Sequence, residues 1–251
     1  MKKIEHPYQI ADSERRNDLR ILPFTQNGIE YNSCFVLLNP FYKRKKRYEN
    51  FDKQKPKWIE GRRSEIKNDY EKYYWSEFTE SSQIHDIKEI IHCFYVYDSN
   101  YIERFQKVKK SVWVAFQETI SDNQLFWNAD SHISVLTIDT ILEALKKLGY
   151  AKLALYDIFK DDLVFRKTDE LIKSENDFPS EFRLVTEDKR LLFYQEYEHY
   201  ETFIYSTDLK LLKSFLKLTD FEGFFATDKT TALWSEVEYK DDDKILTIKD
   251  E

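Results

Sequence analysis

Glycine, proline, cysteine and methionine are scarce in this chain of 251 residues, which has four, five, two and one of them. So few glycines and prolines exclude a collagen-like repeat, a low-complexity tract and a long flexible linker. Two cysteines, Cys34 and Cys93, are too few for a disulfide scaffold or a multi-cysteine zinc site. Both sit in apolar surroundings without a CxxC partner and are expected as reduced core residues. The glycines Gly28, Gly61, Gly149 and Gly223 are all isolated. Loops that cradle phosphate need them closely spaced, which argues against a P-loop or a dinucleotide fingerprint. There is no GxSxG elbow, and the adjacency of Asp130, Ser131 and His132 carries little weight because a triad is assembled in space. No apolar run approaches the roughly 20 residues of a membrane span. Met1–His6 has no apolar run behind its lysines, so a signal peptide is not expected and the cytoplasm is the expected compartment.

Aromatic residues are abundant, with 17 Tyr, 19 Phe and 5 Trp, enough ring area for a sizeable core and for partner contacts at the surface. The formal net charge is -7, but it is unevenly spread. Between Phe41 and Lys67 lie eleven of the 39 basic and four of the 46 acidic residues, so the remainder carries 28 against 42. This polarity bears on partners and encounter rates rather than on fold.

The run Tyr31–Asn39, closed by Pro40, reads as a buried strand. The basic segment after it reads as a loop leading into a helix near Ser64. Helical signals then dominate. Ser82 is a candidate cap for a helix from Gln83 to Tyr95, and Asn100 for the next, with Val108, Val112, Ala115 and Phe116 on one stripe. Asp139 stands before Ile141, Leu142, Leu145 and Leu148, and Gly149 is placed to end that helix. Ala151–Phe159 reads as a buried strand, making half of an α/β unit with the helix before it. Three β-like runs follow at 182–187, 190–196 and 201–206, then a helix capped by Thr207 or Asp208 and a strand pair at 221–227 and 231–239. The expected fold is α+β: a helix-rich first part (1–150) packed on a mixed, mostly antiparallel sheet formed largely by the C-terminal part (151–239), with a charged tail (240–251). No linker separates them, so a single globular domain over 1–251 is expected.

At Phe221-Glu222-Gly223-Phe224-Phe225 and Trp234-Ser235 the chain resembles the C-terminal end of an uncharacterised bacterial family of proteins of unknown function. There, too, a helix precedes an EGFF-type strand and a Trp-containing strand. The segment Ile141–Tyr150 is a second point of similarity, and together they cover about a third of the chain. The resemblance implies no activity. In composition the chain is also similar to small acidic immunity proteins.

Two constellations stand out. His85, Glu89 and His92, spaced by four and three, would share one face of the helix proposed from Gln83 to Tyr95 and suit Zn²⁺ or Fe²⁺. They are not HExxH, and a polar solvated face explains them too, so no metal is favoured. Lys43, Arg44, Lys45, Lys46 and Arg47, with Tyr42 and Trp58, could contact an acidic protein surface or phosphates with stacked bases, or form a solvated loop. Carboxylates such as Asp157, Asp161, Asp162, Glu196, Glu198 and Glu201 offer no fixed pair for glycoside hydrolysis. No cofactor is expected. The expectation is a non-enzymatic, cytosolic protein-binding module, for which an immunity- or inhibitor-like role is one reading. A hydrolase built from scattered His and carboxylates, or a nucleic-acid-binding accessory protein, are the alternatives. Oligomeric state is left open.

Overall fold

The computed structural model describes residues 21–47, 58–59, 61–98, 109–128, 133–157, 162–174, 182–195, 201–228 and 230. In chain order these form β1 (Phe24–Gln26), β2 (Ile29–Tyr31), β3 (Ser33–Leu38), β4 (Phe41–Arg44), β5 (Trp58–Ile59), α1 (Arg63–Asp69), β6 (Tyr70–Tyr73), α2 (Trp75–Ser82), α3 (Ile87–Asp98), α4 (Lys110–Asp122), β7 (Leu125–Asn128) and α5 (Val135–Lys147). Then come β8 (Lys152–Asp157), β9 (Asp162–Lys167), α6 (Thr168–Lys173), β10 (Phe182–Thr186), β11 (Leu191–Tyr194), β12 (Glu201–Ser206), α7 (Leu209–Leu216) and β13 (Gly223–Phe225).

The fold is α+β. Its centre is a seven-stranded antiparallel sheet in the order β13-β3-β12-β11-β10-β8-β9. Both faces are covered over β3, β12 and β11. Side chains alternate along a strand, so Cys34 and Val36 of β3 point to one layer and Phe35 and Leu37 to the other. The first layer joins Leu192, Phe203, Tyr205 and Phe224 to the helices α2, α3 and α4 and to the β1–β2 hairpin, whose Phe24 stacks on Tyr205 with ring centroids 4.4 Å apart. The second joins Leu153, Leu184, Phe193 and Ile204 to Ile141, Leu142 and Leu145 of α5 and to Leu212 and Phe215 of α7. Burial on both faces is why β3 and β11 read as near-continuous apolar runs rather than as alternation, and β12 is likewise buried along its whole length.

The first part supplies more strand than expected. β4, β5, β6 and β7 make a second sheet in the order β5-β7-β4-β6. The basic segment therefore begins as a strand, not a loop: Tyr42 faces Lys72 on one side and Phe126 on the other. The turn of the β1–β2 hairpin is Asn27-Gly28, both at positive φ (50° and 74°), the left-handed pair a two-residue hairpin turn requires.

Two helix starts differ from the expected ones. Asp139 does not start α5; Ser134 stands at its N-cap and Asp139 lies inside the helix. Ser82 ends α2, and α3 starts at Ile87, where Asp86 Oδ1 accepts from Lys88 N–H at 2.9 Å. At Asp208 the cap is as expected, its carboxylate accepting from Lys210 and Leu211 N–H. Gly149, at φ 92°, ends α5, with Tyr150 N–H returning to Leu145 O at 3.0 Å. β8 then pairs antiparallel with both neighbours, so the helix–Gly–strand run is not part of a parallel α/β unit. β13 pairs with β3, and the strand expected at 231–239 lies outside the described residues. The segments at Asn100, 196–200 and 231–251, with Trp234, lie outside the described residues.

Candidate functional site

Phe41–Arg47 holds five cations and no anion, and β4 sets their geometry. Phe41 and Tyr42, on opposite faces of the strand, are both buried: Phe41 stacks on Phe78 at 5.1 Å, and Tyr42 packs with Ile59, Ile66 and Val135. The next two side chains follow the same alternation and emerge at the surface along aromatic rings. Lys43 Nζ lies 5.2 Å from the centre of the Tyr73 ring, and the Arg44 guanidinium lies 5.8 Å from that of Tyr70. Such placement is attractive to a cation by about 0.5–1 kcal/mol at an exposed site. Lys45 turns back to the end of α1, donating from Nζ to Lys67 O at 2.8 Å, while its own N–H reaches Asp69 O at 2.9 Å. A cation there offsets the partial negative charge of a helix C-terminus. Lys46 and Arg47 are exposed beyond it.

Tyr42, expected among the partner-binding residues, is 1% exposed and takes no part in this surface. Its hydroxyl donates to Asn128 Oδ1 (3.1 Å), accepts from Val135 N–H (3.0 Å) and stands 2.8 Å from Ser134 Oγ. It thereby satisfies an N–H in the first turn of α5 that no helix carbonyl can reach. The backbone of Trp58 pairs in parallel with Trp127, below the basic segment; its side chain lies outside the described part. Beneath the same end of the sheet, Asn39 donates to Thr202 Oγ1 (3.1 Å) and Gln195 Oε1 (3.3 Å), while its carbonyl accepts from Trp75 Nε1 (2.8 Å). These buried groups satisfy one another and join the two sheets to α2.

Of the metal-like trio, His85 falls in the connection before α3 and is exposed, while Glu89 lies in the first turn of α3 and His92 in its middle, with a side chain outside the described part. The shared helix face does not form, because the helix starts two residues after His85. Among the described residues no group of three His, Cys, Asp or Glu is placed to hold a metal ion. The carboxylates Asp161, Glu196 and Glu198 lie outside the described residues. Cys34 and Cys93 are buried and unpaired by disulfide, and burial pushes both thiols well above their ordinary pKa, so neither is a ready nucleophile.

A second polar cluster escaped the sequence reading. Asp220 accepts from Tyr74 Oη and from Lys72 Nζ (2.9 Å), and Lys72 also donates to Thr140 Oγ1 at 3.2 Å. Burial raises the Asp220 pKa, but the hydrogen bonds from Tyr74 and Lys72 outweigh it and hold the carboxyl below its ordinary value. Next to it, Glu222 accepts from Ser76 Oγ (2.5 Å) and Ser76 N–H (3.1 Å), so it caps α2 from 146 residues away. No local spacing announces a cap that distant.

Each residue of the Phe221–Phe225 segment has a packing role. Phe221 is core, Glu222 caps α2, Gly223 lies against β3, Phe224 fills the first layer, and Phe225 meets Phe35 edge-on at 5.4 Å. This segment carries the family resemblance, and the family described as "Protein of unknown function (DUF2711)" matches residues 17–236. The chain belongs to that family. The match spans most of the chain rather than the third that the short motifs suggested. No curated protein and no solved structure matches the family member described here. No helix among the described residues is long and apolar enough to cross a membrane.

Proposed function

We propose that this DUF2711 protein is a non-enzymatic cytosolic binding module whose basic face, from Lys43 to Arg47, docks on an acidic protein surface. The observation that carries this reading is the seating of Lys43 and Arg44 over the rings of Tyr73 and Tyr70. A cation held over a ring keeps fewer rotamers than one on a solvated loop, so less side-chain entropy is lost when a partner binds. Lys46 and Arg47 extend the field outward and act mainly on encounter rate.

The test compares the full chain with a Lys46→Glu/Arg47→Glu variant, using immobilised poly-glutamate and a DNA duplex across a salt series. The reading expects retention on poly-glutamate that weakens in the variant. The difference should close near 1 M salt, where screening acts over about 3 Å. Equal retention of the two proteins at every salt concentration would overturn it. Steeper retention on duplex than on poly-glutamate would replace it with nucleic-acid binding.

A further inference from the structure

β9 is an edge of the central sheet: among the described residues its one strand partner is β8, through six consecutive antiparallel pairs from Lys152↔Lys167 to Asp157↔Asp162. An edge of that length presents unpaired N–H and C=O groups to any strand that fits. β9 lacks proline, and its pairing has no bulge to turn the edge away. Two of its side chains are also unusually open, Leu163 at 39% and Phe165 at 50% exposure. They lie on one face beside Tyr156 and Ala154, an apolar strip that lines an open hollow with Gln26, Asn27 and Ile29 of the β1–β2 hairpin.

We propose that β9 pairs antiparallel with β9 of a second copy of this chain, with Val164 on the twofold axis. The charge pattern selects both occupant and register. A twofold that makes two strands antiparallel stands perpendicular to the sheet, so facing residues come from the same face of each strand. Only registers centred on a residue then remain. Centring on Val164 places Asp162 opposite the partner's Arg166 and Leu163 opposite the partner's Phe165, each pair occurring twice. Centring on Leu163 places Asp162 opposite Val164, and centring on Phe165 places Leu163 opposite Lys167. Only the Val164 register matches charge with charge and apolar with apolar, which is what favours a cross-strand pair. Arg166 is the cation that faces Asp162 in this register, whereas Lys167 meets Glu170 at 3.4 Å within its own chain. In the single chain Arg166 Nη1 donates to Phe165 O at 3.1 Å, a neutral acceptor that pairing across the twofold would replace.

Sedimentation equilibrium of the full chain, with Arg166→Asp and Asp162→Arg/Arg166→Asp variants, tests the pairing. The wild type should dimerise with rising concentration. Arg166→Asp puts like charges opposite each other twice and should raise Kd at least about tenfold, while the exchanged double variant should return it to near the wild-type value. The register is read separately by oxidation. Facing Cα atoms lie about 4.5–5.5 Å apart, within disulfide reach, whereas the two copies of Leu163 would be offset by two residues and lie beyond the roughly 7 Å limit. Val164→Cys should therefore form a disulfide-linked dimer, and Leu163→Cys should not. A wild-type chain that stays monomeric to about 1 mM, a weak millimolar Kd by the usual scale, overturns the proposal and leaves the edge to a strand of another protein. A dimer indifferent to Arg166→Asp overturns it as well, placing the interface elsewhere.

Discussion

Arg63 on α1 and Asp139 on α5 form an ion pair in which the guanidinium side chain is 2% exposed and the carboxylate 25%. Arg63 Nη1 also donates to Leu171 O at 2.7 Å and Ser174 O at 3.3 Å, so one side chain ties α1, α5 and the end of α6 together. Lys67 reaches the other Asp139 oxygen from the same helix as Arg63. A buried pair of this kind adds little net stability over an apolar pair, but removing one partner strands the other charge. Asp139→Ala should cost about 3–5 kcal/mol in urea unfolding, and Arg63→Met/Asp139→Leu should recover most of that loss. An Asp139→Ala variant within about 1 kcal/mol of wild type would show the pair to be solvated.

Gly223 occupies a place where no side chain fits. A Cβ built there would stand 2.0 Å from Val36 O and 2.9 Å from the Phe35 ring, so β13 must move off β3 to accept one. Gly223→Ala should cost on the order of 3 kcal/mol, and amides along the Phe224↔Val36 ladder should exchange faster. Unchanged unfolding midpoints would mean that this edge is already loose.

Asp220 gives a pH dependence with a definite sign. Its folded-state pKa is lowered, so its contribution to stability is present above the unfolded carboxyl pKa of about 3.9 and is lost as pH falls through the folded value. Carboxyl NMR titration should find Asp220 below the usual aspartate range. Tyr74→Phe, which removes one of the lowering hydrogen bonds, should move it upward. An Asp220 titration that ignores Tyr74→Phe would contradict the contact.

Tyr42→Phe should destabilise the chain by about 1–3 kcal/mol, because Asn128 and Val135 N–H lose a buried partner. The same change should leave poly-glutamate retention untouched, which separates the Tyr42 layer from the basic face. Loss of retention without loss of stability would return Tyr42 to the surface.

Leu145 has no exposed area, and Leu145→Ala should cost about 2–5 kcal/mol by chemical denaturation. Leu209, 43% exposed on α7, is its control, and its replacement by Ala should change stability by less than about 0.5 kcal/mol.

The sequence by itself determined the elements whose signal is local. β3, α5, the β10–β11–β12 run and α7 with its Asp208 cap could be read from apolar spacing and nearby breakers, and Leu142 and Leu145 of α5 are core as that spacing requires. The Asn27-Gly28 turn is equally local, a pair whose positive φ values suit a two-residue hairpin. Tertiary structure alone decided what depends on distant partners. Tyr42 looks like an aromatic within a basic run until β4 is paired between β6 and β7, which turns its ring inward to the start of α5. Asp139 looks like a cap until Arg63, 76 positions earlier, is brought against it. Glu222 and Ser76 meet only after β13 has closed on β3. Backbone preference and apolar period act over a few residues, so one chain segment reveals them. A buried polar group is placed by whichever partner can satisfy it, and that partner is chosen by the packing of the whole fold.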